Sequence, residues 1–80
     1  MKIYKTKGIL DEILNLSYLF YEETGRSPKE VYVNALNKER IIEEAEQYMI
    51  DSVGFTKREY LFGYLLKEDD KLKCNQVGFL

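Results

Sequence analysis

RSPKEVYVNAL, residues 26–36, decides the fold. Two physical readings compete for it. Ser27-Pro28-Lys29-Glu30 has the form of a capping box with proline at the first helical position, and Val31, Tyr32, Ala35 and Leu36 would then line one helical face. Against this, Val31-Tyr32-Val33 is β-branched and aromatic, the composition of a pleated, half-buried surface. Pro28 pushes Ser27 towards an extended conformation, and Asn34 is a good terminator. We read the segment as a short strand over 29–33.

Upstream, residues 2–6 fit a short strand, with Ile3 facing one way and Lys2, Tyr4 and Thr6 the other. Gly8 punctuates the chain, and the period then becomes helical. Ile9, Ile13, Leu16 and Phe20 recur at helical spacing, with Leu10, Leu14 and Tyr21 beside them. Asp11 and Glu12 suit a first turn, where the helix dipole favours acids. Gly25 is the natural stop, followed by Pro28.

Downstream, Asn37 is positioned to cap a second helix over about 38–53. Ile41, Ile42, Ala45, Tyr48, Met49 and Val53 make its apolar face, and Gly54 ends it. Thr56-Lys57-Arg58-Glu59 is a further capping box, with Phe55 and Tyr60 as a hydrophobic staple. Residues 60–66 fit a helix or a strand; we expect a turn of helix and then a strand over 62–67. Glu68, Asp69 and Asp70 read as a turn. Leu72 and Cys74 alternate in one phase, Val77 and Phe79 in the other, and a bulge near Asn75-Gln76 would reconcile them. Residues 77–80 are apolar to the last and read as docked. The fold class expected is α+β, in the order α-β-α-β-β, which a strand at 2–6 would extend. Two helices would pack on one face of a small, mainly antiparallel sheet.

Eighty residues make one domain, 1–80, with a modest core. The hydrophobic share of 45% and charged share of 32% are those of a globular chain rather than a disordered one. A net charge of −2 argues against a basic nucleic-acid coat. The start, MKIYKTKGIL, has no apolar signal region, and no apolar run reaches membrane-spanning length. These features point to a cytoplasmic protein with no membrane partner.

Histidine is absent, which removes the commonest general base and metal ligand. Glu43, Glu44 and Glu46 fall on a polar helix face, and Glu68, Asp69 and Asp70 in a turn. Carboxylates do acid–base work only where a cleft separates their pKa values, and nothing in the pattern builds one. Cys74, the single cysteine, has no histidine to activate it and reads as a small apolar residue buried in a strand. The glycines are scattered and cradle no phosphate. We therefore expect no enzyme, no catalytic residue, no cofactor and no metal.

Some apolar residues fall outside the expected apolar arcs: Tyr18 and Leu19 on the first helix, Ile50 on the second. Together they point to a protein interface, including self-association as a homodimer. Seven tyrosines, apolar at one end and wet at the other, agree with that expectation.

EETGRSPKEVYVNAL, residues 22–36, resembles the helix–loop–helix junction of ribbon-helix-helix repressors. That resemblance implies a DNA-binding dimer in which residues 2–6 form the paired strand and a second helix starts at Pro28. Lys2, Tyr4 and Thr6 would then face bases, and Ser27 would lie near a phosphate. Nucleic acid is a partner under this alternative only. The element order, through FGYLLKEDD and KLKCNQVGFL, is also similar in layout to small phage-encoded α+β proteins and to a module of tailed-phage capsid proteins. That resemblance implies an accessory or structural protein of phage or mobile-element origin, without catalytic residues.

Overall fold

A computed structural model describes residues 1–6, 10–47, 60–61 and 63–80. Within them lie strand β1 (Lys2–Lys5), helix α1 (Leu10–Thr24), strand β2 (Glu30–Val33), helix α2 (Ala35–Gln47), and strands β3 (Tyr60–Leu61), β4 (Tyr64–Glu68) and β5 (Gln76–Phe79). The fold is α+β, with two helices and one mixed sheet. Its order begins with a strand and adds β3, so the expected α-β-α-β-β is too short at one end and lacks one hairpin arm.

The deciding segment is extended. Val31 and Val33 are buried, alternating with half-buried Glu30 and Tyr32. β2 lies third in the sheet order β1-β5-β2-β4-β3, so it has a hydrogen-bonded neighbour on each side. A helix starting at Pro28 would forfeit both ladders and turn the two valines away from each other. The second helix of the repressor-like reading is therefore absent from residues 30–33.

Three of the four pairings are antiparallel: β1 with β5, β2 with β5 and β3 with β4. The fourth, β2 with β4, is parallel and aligns Glu30 with Leu65 and Val33 with Glu68. Parallel neighbours need a crossover connection, and α2 lies in it. The last residue is docked: Leu80 N–H donates to Glu30 O at 3.0 Å, and Lys29 N–H donates to Leu80 O at 2.8 Å.

α1 stops where expected. Gly25, at φ 78°, occupies the left-handed region, and its N–H donates to Tyr21 O at 2.8 Å. α2 starts earlier than expected. Asn34, not Asn37, is its cap: Asn34 Oδ1 accepts from the Asn37 N–H at 2.8 Å. The strand ends at Val33 and the helix follows at once, so the first asparagine takes the cap and the second falls inside the first turn.

Two further expectations are corrected. Tyr60 and Leu61 are in a strand, not a helical turn, and pair with Leu65 and Tyr64 across Gly63 at φ 83°. Residues 71–75 contain no bulged strand. Leu72 N–H donates to Asp69 O and Gln76 N–H to Lys73 O, which makes successive turns. The change of phase marks a loop, and only Gln76–Phe79 are strand. The expected stop at Gly54, the capping box at Thr56 to Glu59 and the strand start at Phe62 lie outside the described residues.

The core sits between the sheet and the helices. Ile13 and Phe20 of α1, Ile41 and Ile42 of α2, Val31 and Val33, Leu66, Val77 and Phe79 form one buried cluster. Phe79 is its centre, with ring centroids 5.8 Å from both Tyr4 and Phe20.

Candidate functional site

Residues opposite each other in a ladder share a face. The row Lys2, Phe79, Val31, Leu66 therefore faces the helices, and the row Ile3, Gly78, Tyr32, Lys67 faces the open side. The alternation expected for residues 2–6 holds, and it decides what each side chain meets.

On the helix side, Lys2 and Tyr4 converge on Glu23 of α1. Lys2 Nζ lies 2.8 Å from Glu23 Oε2, and the Tyr4 hydroxyl donates to Glu23 Oε1 at 2.7 Å. These two hydrogen bonds, Lys2 first and Tyr4 second, hold the Glu23 carboxyl below the usual carboxylate range. Burial, reinforced by the Glu23 hydrogen bond, pushes the Tyr4 phenol up to about 12. The cluster ties the sheet edge to the last turn of α1.

The residues assigned to DNA contact are thus not presented together. Lys2 and Tyr4 are occupied by Glu23, and Thr6 is buried with its N–H donating to Asn75 O at 2.9 Å. Ser27 is exposed in the loop after α1, and its carbonyl accepts from Arg26 Nη1 at 3.4 Å.

On the open face, a second cluster escaped sequence reasoning. Lys67 Nζ lies 2.7 Å from Glu30 Oε2, and the Tyr32 hydroxyl donates to the same oxygen at 2.9 Å. Lys67 also stands 5.9 Å from the Tyr32 ring centroid, within cation–π range. The hydrogen bonds from Lys67 and then Tyr32 lower the Glu30 carboxyl, and the Glu30 contact raises the Lys67 ammonium. Only the parallel register of β2 and β4 brings these residues together. The available signal was that Glu30 and Tyr32 share a strand face.

Of the expected interface residues, Tyr18 and Leu19 lie on α1. Tyr18 is 60% exposed and Leu19 40% on α1, and Tyr21, placed beside the apolar arc by sequence, is 54% exposed. Ile50 lies outside the described residues. The expected structural role for Cys74 is corrected: it is exposed and sits in the turn before β5. Asn34 Nδ2 donates to its sulfur at 3.1 Å, and Asn37 Nδ2 to its carbonyl at 2.7 Å. Asn37 Oδ1 is buried and has no hydrogen-bond partner.

Glu43 and Glu68 are exposed, and Asp69 Oδ1 accepts from the Lys71 N–H at 2.9 Å, capping its own turn. Among the described residues, no three acidic, cysteine or histidine side chains are grouped as metal ligands. Nor is any described helix long and apolar enough to cross a membrane. No family model, curated protein or solved structure matches the chain.

Proposed function

We propose that this chain is a non-enzymatic interaction module that works by presenting a protein-binding surface. One observation carries the reading: Tyr18, Leu19 and Tyr21 are large, apolar or half-apolar, and exposed on a single helix. Burying such side chains against a partner gains roughly 25 cal/mol per Å² of apolar surface, whereas leaving them in water gains nothing. Tyrosine is also among the residues enriched at interfaces.

The accessory role implied by the phage-type layout belongs to the same proposal. Pro28, β2, α2, Gly63, β4, the Asp69-Asp70 turn and β5 follow one another in that order. Order alone supports a fold likeness and not a partner. The DNA-binding alternative has no geometric support of its own, because Lys2 and Tyr4 are turned towards α1.

The test is site-specific photo-crosslinking in the cells that make the protein. A photoreactive residue at Tyr18 is expected to give a discrete protein adduct, and one at exposed Glu43 of α2 is not. Equal, background-level labelling at both positions would sink the reading.

A further inference from the structure

We propose that the outer edge of β1 pairs antiparallel with the β1 edge of a second copy of this chain, about a two-fold axis at Ile3. The inference rests on the interaction reading and names its partner and surface.

β1 is the first strand in the sheet order, with β5 on its inner side and no described strand on its outer side. An edge strand leaves backbone N–H and C=O groups ready to pair, and proteins commonly guard such edges with lysine. Here one guard is withdrawn, because Lys2 is folded onto Glu23. Beside the same edge, Met1 is 52% and Ile3 50% exposed.

The sequence of β1 selects one register. If both helix layers stay on the same side of a continuous sheet, opposed residues must share a face, which leaves two-folds at Lys2, Ile3, Tyr4 or Lys5 of β1. An axis at Lys2 or at Lys5 would oppose two lysines, which is destabilising. An axis at Tyr4 would set each Ile3 against a Lys5. An axis at Ile3 opposes Ile3 with Ile3 and Lys2 with Tyr4 of the partner. Lys2 then lies on the helix side beside the very tyrosine that holds the partner's Glu23. The side chains of Lys2 and Glu23 are 42% and 38% exposed, so each can reach across.

A second observation lies directly above this edge. Glu23 reaches β1, so the flank of α1 that bears it overhangs the edge strand. Leu19 is one turn earlier on that flank and is 40% exposed. Extending the sheet through β1 sets α1 beside α1 of the second copy, with Leu19 between them.

Sedimentation velocity on the purified protein tests this, with circular dichroism confirming that each variant is folded. The wild type is expected to sediment as a dimer. Leu19→Asp, Lys2→Glu and Glu23→Lys are each expected to raise the dissociation constant about ten-fold or more, equivalent to ~1.4 kcal/mol or more. Mixing Lys2→Glu with Glu23→Lys should restore dimers, because both inter-chain pairs become opposite in charge while both intra-chain pairs repel. A wild type that stays monomeric at millimolar concentration, or a mixture no more associated than its components, would overturn the proposal. A monomer that still crosslinks through position 18 to another protein overturns this inference and leaves the interaction reading standing; loss of both removes both.

Discussion

Aspartate placed at each of the two asparagines, Asn34→Asp and Asn37→Asp, separates two accounts of how α2 begins. At a cap, aspartate serves as well as asparagine, and its charge gains ~0.3–1 kcal/mol from the helix dipole. Asn34 Oδ1 accepts the Asn37 N–H, so Asn34→Asp keeps that bond and loses only the exposed contact from Nδ2 to the Cys74 sulfur. The net change should stay within ~0.5 kcal/mol. Asn37 is fully buried, and its Nδ2 donates to Cys74 O at 2.7 Å. Asn37→Asp sets an unpaired carboxylate against that carbonyl oxygen, which costs ~3–5 kcal/mol when a buried charge lacks compensation. With a urea dependence of ~1 kcal/mol per M, the unfolding midpoint should fall by about 3–5 M. Urea titration followed by far-ultraviolet circular dichroism reads both variants. The Asn37→Asp defect should shrink in acid, because the protonated carboxyl can donate to Cys74 O. Its folded-state pKa would be raised, so its stability is recovered below the unfolded value of ~3.9 and lost as pH rises. The reverse pattern, Asn37→Asp tolerated and Asn34→Asp crippling, would refute the cap assignment.

Phe79→Ala removes the ring that both Tyr4 and Phe20 pack against, and should cost ~3–5 kcal/mol of an expected total of ~4–12 kcal/mol for a chain of this length. A melting temperature unchanged within error would contradict the core described here. Glu23 and Glu30 have carboxyl pKa values lowered in the folded state, so each contributes stability that is present above the unfolded glutamate pKa and lost as pH falls through the folded value. NMR titration should show both carboxyls ionising below the ordinary glutamate range. Tyr4 is shifted the other way: its contribution is complete below pH 10.0 and is lost as pH rises through about 12, which ultraviolet absorbance reads as a late phenolate.

What could be read from the chain was local. Val31-Tyr32-Val33 marks a strand by its own composition. Ile13, Leu16 and Phe20 mark α1 by their spacing, and Gly25 marks its end. Each of these signals is complete within a few residues. The misreadings turned on which groups pair, not on residue type. Asn37 has good cap chemistry, but β2 reaches only to Val33 and hands the cap to Asn34. Leu72 and Cys74 alternate like a strand, yet no ladder runs beside them, and the Asp69 turn takes them instead. Tyr60 pairs because Gly63 reverses the chain, a hairpin signal without the usual two-residue turn sequence. The candidate interface was legible in the same partial way. Tyr18 and Leu19 stood out from the helical period, whereas the closeness of Leu19 to β1 follows only from Glu23.

The tyrosines show why residue type alone did not separate structure from surface. Seven tyrosines pointed to contacts, and among the described residues three of the hydroxyls are spent inside the fold. Tyr4 binds Glu23, Tyr32 binds Glu30, and the Tyr64 hydroxyl donates to Ser17 Oγ at 3.3 Å. Two of these form the same unit, a carboxylate held between a tyrosine and a lysine, once on each face of the sheet. On the helix side the unit joins α1 to the edge strand; on the open side it joins β2 to β4 where no hairpin links them. Parallel strands and an edge strand are the places where chain connectivity helps pairing least, so side-chain clamps there add what short loops supply elsewhere. Tyr18 and Tyr21 lie on the outer surface of α1, away from any such junction. Among the described residues their rings stay exposed, and that is the physical basis of the proposal that they, with Leu19, meet a partner.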